Sequence, residues 1–209
     1  MPRYRTVLLA TLGAGFLSTT LVVAQPLSPN PIVAPSGRVT TSVTFDGRLM
    51  GGGDRWLNRS TSHSGPGRMS IEYGQPHARG RQIFGDVVPY GRAWRLGANL
   101  ATHLTLDLGM RIGELELAPG VYTLFMWPEE DGAELIVSRQ TRQWGTDYDA
   151  SHDLGRTALD RRVLAETRES LQMALVPGAP RVEGGVPRGR LTIAWGELEY
   201  STDWEVVFP

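Results

Sequence analysis

Neither cysteine nor lysine occurs in the 209 residues of this chain. The first absence excludes a disulfide framework, a thiol nucleophile and a thiolate metal site, so stability must come from a packed core. The second makes every basic residue an arginine, a side chain suited to planar, bidentate contacts with carboxylate or phosphate. Basic residues number 21 and acidic ones 22, a balance without the basic excess of a nucleic-acid-binding surface. The G-x-S-x-G turn of serine hydrolases is missing, and the four histidines, His63, His77, His103 and His152, show neither HExxH nor His-x-His spacing. The glycines at 51–53 and 91–97 lack the strand-to-helix setting of a phosphate cradle. These absences point to a protein without metal, cofactor or nucleic-acid partner. No internal repeat is visible either.

The chain opens with Arg3 and Arg5 ahead of an uncharged apolar run over 7–23, ending in Val22-Val23-Ala24. That pattern predicts a secretory signal peptide spanning 1–24, and with no cysteine at its end no lipid anchor can follow. Gly13, Gly15 and the cluster Ser18-Thr19-Thr20 dilute the run, which argues against a spanning helix and against stable membrane insertion after cleavage. The expected location is periplasmic or secreted. Residues 25–37 carry four prolines and read as an extended leader. The remainder, 38–209, is long enough for one core-bearing domain.

Within 38–209 the dominant signal is a period of two. RVTTSVTF at 38–45 alternates apolar and polar residues, as do RMSIEY at 68–73 and 103–108 with Leu104, Leu106 and Leu108 on one face. Residues 111–117 read as a strand with a bulge at Gly113. The β-forming run 121–127, the turn 128–132 and the return 133–139 make a hairpin. Residues 144–156 read as a surface loop and 157–176 as a loop with a short helix, then a strand; 190–200 and 204–208 complete the set. The Ser/Thr/Gly-rich run 58–67, with the acceptor-like Asn58-Arg59-Ser60, reads as a bare loop. About nine short strands with no βαβ alternation predict an all-β antiparallel sandwich or flattened barrel with at most one short helix.

One stretch does not fit a plain strand or loop. Residues 79–102, RGRQIFGDVVPYGRAWRLGANLAT, interleave Arg79, Arg81, Arg92 and Arg95 with Gly80, Gly85, Gly91 and Gly97 and with Phe84, Tyr90 and Trp94. Glycines at this density allow close backbone approach or positive φ. Two readings follow. Arg81 and Arg95 could be bonded to carbonyls or to Asp153, bracing a corner of the sandwich. Alternatively, Arg81, Arg95 and Asn99 supply donors, and Trp94 or Trp144 a stacking face, for a small polar or anionic ligand or for an acidic partner surface; a non-catalytic structural or interaction protein of the envelope is a further reading. A hydrolytic alternative would use Asp153 or Glu72 as acid or base with His103 or His152, but nothing in the sequence pairs them.

IEYGQPHARGRQIFGDVVPYGRAWRLGANLAT, then APGVYTLFMWP, then WGTDYDASHDLGR, resemble the DUF2911 family of bacterial exported proteins, whose pattern runs Y-S-R-P, G-R-x-I-F-G, W-R-x-G-A-N-x-A-T, A-G-x-Y-x-L and W-G-x-x-Y-x-x-x-x-D. Tyr73, Pro76, Gly80, Arg81, Phe84, Gly85, Trp94, Arg95, Gly97, Asn99, Thr102, Gly120, Tyr122, Trp144, Gly145, Tyr148 and Asp153 carry the likeness, while Gly74 and Gln75 replace its Ser-Arg. The resemblance spans about 38–195 and implies export without an established activity. It adds Thr102, Tyr148 and Asp153 to Arg81, Trp94, Arg95, Asn99 and Trp144 as candidate ligand-binding residues.

Overall fold

A computed structural model describes residues 36–45, 67–182 and 185–207. The proposed signal peptide, nearly all of the leader, the glycine and Ser/Thr runs at 51–66 and His63 lie outside the described residues. The described chain is all-β, with a single 3-10 turn at Ala150–His152 as its only helical piece. None of its helices is long and apolar enough to cross a membrane.

Nine antiparallel strands form one continuous sheet that does not close: β1 (Arg38–Phe45), β2 (Gly67–Gly74), β3 (Thr102–Leu106), β4 (Gly109–Ile112), β5 (Leu115–Leu117), β6 (Gly120–Pro128), β7 (Ala133–Ser138), β8 (Asp153–Gly178) and β9 (Arg188–Val207). Their order is β1-β2-β3-β6-β7-β8-β9-β4-β5. β8 makes the sheet fold over. Residues 153–159 pair with β7, whereas 160–178 pair with β9, so the strand passes from one half of the sandwich to the other.

Alternation places the core between the halves. Met69, Ile71 and Tyr73 of β2 point inward; opposite them lie Leu171, Met173 and Leu175 of β8 and Leu191, Ile193 and Trp195 of β9. Contacts join the halves directly. The Met173 amide donates to the Tyr73 hydroxyl at 3.1 Å, and Phe45 meets Trp204 edge-on at 5.8 Å. In β6 five successive residues, Tyr122 to Met126, are buried, because the outward Thr123 and Phe125 are covered by the connection 139–149. From it Gln143 Nε2 donates to Thr123 Oγ1 at 3.3 Å, and the Tyr148 ring packs on Phe125 at 4.8 Å.

The strands at 38–45, 68–73 and the 121–139 hairpin stand where the two-residue period puts them. The strand expected over 170–176 is present, but the loop and short helix expected before it, and 153–156 of the expected surface loop, are part of the same 26-residue β8. Most of 160–169 is exposed, so the segment carries no one-sided apolar pattern; pairing with β9 makes it a strand. That pairing is irregular. Val163 pairs with Leu198 and Arg168 with Gly196, then Gln172 with Ala194, so β8 carries extra residues over the same length of β9. Likewise 190–200 and the described part of 204–208 are not separate strands but one β9, and Gly113 is no bulge. With φ +54 it turns the β4–β5 hairpin, where Ile112 pairs with Leu115.

Candidate functional site

Residues 75–101 contain no named strand and run across the sandwich on a series of turns. Arg79, Leu96 and Asn99 adopt positive φ beside Gly80, Gly85 and Gly91. For Asn this is a modest cost; for the fully buried Leu96 it is backbone strain of order 1–3 kcal/mol that the surroundings must hold. They do so through short bonds. Trp94 and Met126 exchange backbone hydrogen bonds at 2.7 and 2.8 Å, and the Thr102 hydroxyl donates to the Leu96 carbonyl at 2.8 Å. Ala98 N–H donates to the Gly74 carbonyl at 3.0 Å. At Gly74, where the resembling pattern has Ser, a Cβ would overlap the Ala98 carbonyl oxygen, so this chain brings two backbones into direct contact there. Gln75, in place of the pattern's Arg, donates to the Leu171 carbonyl at 2.9 Å.

The turns enclose an open cavity of about 490 Å³. Arg81, Arg92, Arg95, Asn99, Trp94 and Tyr148 are in its wall, together with Gly145 and Trp195 among others. Arg81 is fixed by Nε donating to the Ala78 carbonyl and Nη2 to the His77 carbonyl, both at 2.9 Å. Arg95 Nε donates to the Gly97 carbonyl at 3.1 Å. These bonds leave guanidinium N–H groups over. Among the described residues none of the three arginines has a carboxylate within salt-bridge distance, whereas Arg38, Arg156, Arg162 and Arg190 each do. Among the described residues no acidic side chain is in the cavity wall. Three like charges facing one space attract an anion and repel each other without one.

The loop after β7 forms the other wall. Gly145 N–H donates to the Asn99 carbonyl at 3.0 Å, and a Cβ there would sit 2.5 Å from Arg95 Cδ, so only glycine lets the loop approach this closely. The Tyr148 hydroxyl donates to Asp153 Oδ2 at 2.6 Å and accepts from Arg156 Nη2 at 3.3 Å. Arg156 is in turn held over the Trp127 ring at 4.9 Å. Burial first, then the bond to Asp153 and its charge, push the Tyr148 phenol above its ordinary range, so it is neutral at physiological pH. With its proton committed to Asp153, Tyr148 offers the cavity its ring rather than a donor. Trp94 stacks on Trp195 at 5.8 Å and 18°, and Phe84 meets Trp94 edge-on at 6.3 Å.

Of the eight sequence candidates, Arg81, Trp94, Arg95, Asn99 and Tyr148 therefore converge on one cavity. Thr102, Trp144 and Asp153 are not in its wall. Thr102 is wholly buried and pins the Leu96 turn. Trp144 is 48% exposed and bridges to Leu100. Asp153 lies behind Tyr148 and orients it. Arg92 is a wall residue absent from the candidate set, although it belongs to the same arginine-glycine stretch.

The residues of the hydrolytic alternative fall in two pairs: Glu72 stands opposite His103 across β2 and β3, and His152 adjoins Asp153 at the start of β8. Glu72 bonds to Arg38 Nε at 2.8 Å. The exposed His152, the last residue of the 3-10 turn, contacts Asp149, which caps it, at 3.3 Å. His103 Nε2 is buried without a hydrogen-bond partner among the described residues; burial first, then the charge of Arg38, depress its pKa. No group of three or more His, Asp or Glu side chains among the described residues is arranged to hold a metal.

Residues 58–203 match the model of a family described as a protein of unknown function, DUF2911. No curated protein and no solved structure matches the chain.

Proposed function

The chain belongs to the DUF2911 family, and on that footing we propose that it is an exported, periplasmic or secreted, β-sandwich protein that binds a small anionic ligand and does no chemistry on it. In this reading Arg81, Arg92, Arg95 and Asn99 hold the charged group, and Trp94 and Tyr148 flank the rest. Thr102 and Asp153 act indirectly, through the Leu96 turn and the Tyr148 ring, and Trp144 packs the loop that carries Gly145. The observation that carries the proposal is the convergence of three arginines, without carboxylate partners among the described residues, on one open cavity.

Calorimetric titration of the mature protein with sulfate, phosphate and glucuronate tests it, alongside the variants Arg92→Met and Arg162→Met. Arg162 pairs with Glu199 at 2.7 Å, outside the cavity. At least one anion should bind to wild type and to Arg162→Met, and at least tenfold more weakly to Arg92→Met. Equal loss in both variants, or binding to none of the three proteins, would refute the site.

A further inference from the structure

Arg81 borders a second cavity as well. On its other side a space of about 500 Å³ opens, with Gln82, Phe84, Arg168, Glu169, Gly196 and Glu197 in its wall. The irregular part of β8 creates it. Where the extra residues lift away from β9, the Glu169 carbonyl accepts from the Ala78 amide at 2.6 Å and the Leu171 amide donates to the Pro76 carbonyl at 3.0 Å. The strand is thereby spread between β9 and the 75–79 segment. Gly196, at φ +60, passes beneath; a Cβ there would press on Ile83 Cγ1 at 2.9 Å. The two cavities are neighbours twice over. They share Arg81, and Trp195 borders one while the next residue, Gly196, borders the other.

Their chemistry differs. The first cavity is cationic, with no acid among the described residues of its wall. The second balances Glu169 and Glu197 against Arg81 and Arg168. Glu197 has no hydrogen-bond or ion-pair partner among the described residues, while Glu169 uses Oε1 to accept the Arg79 amide at 2.9 Å. A second anion would meet the glutamates there, and a cation would meet the arginines. A neutral group whose hydroxyls both donate and accept satisfies both sets. The aromatic surface of Trp94 on the near side suits the flat, apolar face of a ring.

We propose that the two cavities form one groove for an acidic disaccharide, its carboxylate at Arg92 and Arg95 and its neutral sugar beyond Arg81, against Glu169 and Glu197. This rests on the anion-binding reading above and extends it to a ligand class. The test uses calorimetry with three probes: glucuronate, an aldobiouronate in which glucuronate is joined to one neutral hexose, and cellobiose. Wild type should bind the aldobiouronate at least tenfold more tightly than glucuronate and should not bind cellobiose measurably. Glu197→Ala, at an exposed position, should erase the tenfold advantage and leave glucuronate affinity unchanged; Arg95→Met should weaken both acidic sugars. Equal affinity of wild type for the two acidic sugars overturns the groove but leaves the anion site standing. So does equal weakening of both by Glu197→Ala. Cellobiose binding as tight as the aldobiouronate also overturns the groove, and failure of every anion to bind overturns both proposals.

Discussion

Replacing Arg95 by Met separates a ligand-binding role from a bracing role, because the two predict losses in different measurements. Arg95 makes one described hydrogen bond, Nε to the Gly97 carbonyl at 3.1 Å, and Met keeps much of the aliphatic stem. Gly97 is buried, so its carbonyl loses a partner, a cost of about 1–3 kcal/mol. For a domain of this size that lowers Tm by roughly 2–12 °C in the absence of ligand. A brace predicts only this loss. A binding residue predicts a second effect. An anion at 100 times its Kd raises stability by about 2.7 kcal/mol, or roughly 5–11 °C in Tm. Loss of a charge-assisted contact worth about 2–3 kcal/mol weakens binding some 30- to 150-fold. At the same anion concentration the variant should then gain no more than about 1 kcal/mol, or roughly 4 °C. Differential scanning fluorimetry at fixed ionic strength, with and without the tightest-binding anion, reads both quantities. An anion-induced shift of equal size in wild type and Arg95→Met would refute the reasoning, whatever the variant does to the baseline.

Two further predictions concern stability. The depressed pKa of His103 means that as pH falls through about 6.5 the unfolded chain takes up a proton more readily than the folded chain, so this group costs stability below that pH. The Tm of wild type relative to His103→Gln should therefore fall between pH 7.5 and pH 5.5, and a pH-independent difference would contradict it. Gly74→Ala should lower Tm by several degrees, through a clash with the Ala98 carbonyl costing about 1–3 kcal/mol. Gly132→Ala, which meets nothing within 4 Å, should leave Tm nearly unchanged; equal Tm values for the two variants would show that the Gly74 contact gives way.

The legible parts of the fold are those where one face is wet. β1 and β2 alternate because solvent covers one side, and the β6–β7 hairpin announces itself through its turn. β8 was hidden because its middle is exposed and held by neighbours distant in sequence, which no local period records. The site shows the same division. Arginines among glycines mark Arg81 and Arg95, and the same density covers Arg92. Thr102 and Asp153 have the same residue chemistry as donors and acceptors in a site, yet each spends it internally, on Leu96 and Tyr148, and only three-dimensional placement reveals this. The second cavity had no local signature at all, since Glu169 and Glu197 come from β8 and β9 and meet only through their irregular pairing.

The uneven pairing of β8 against β9 amounts to slack stored in a strand. Nine steps from Val163 to Gln172 answer four from Leu198 to Ala194, while the pairing on either side, at 160–163 and 172–178, keeps step. Residues could be added to or removed from this slack without shifting the register of the core, since neither flank would have to slide. The depth and charge of the space beside Arg81 can thus be altered through the length of one segment, with the sandwich itself left as it is.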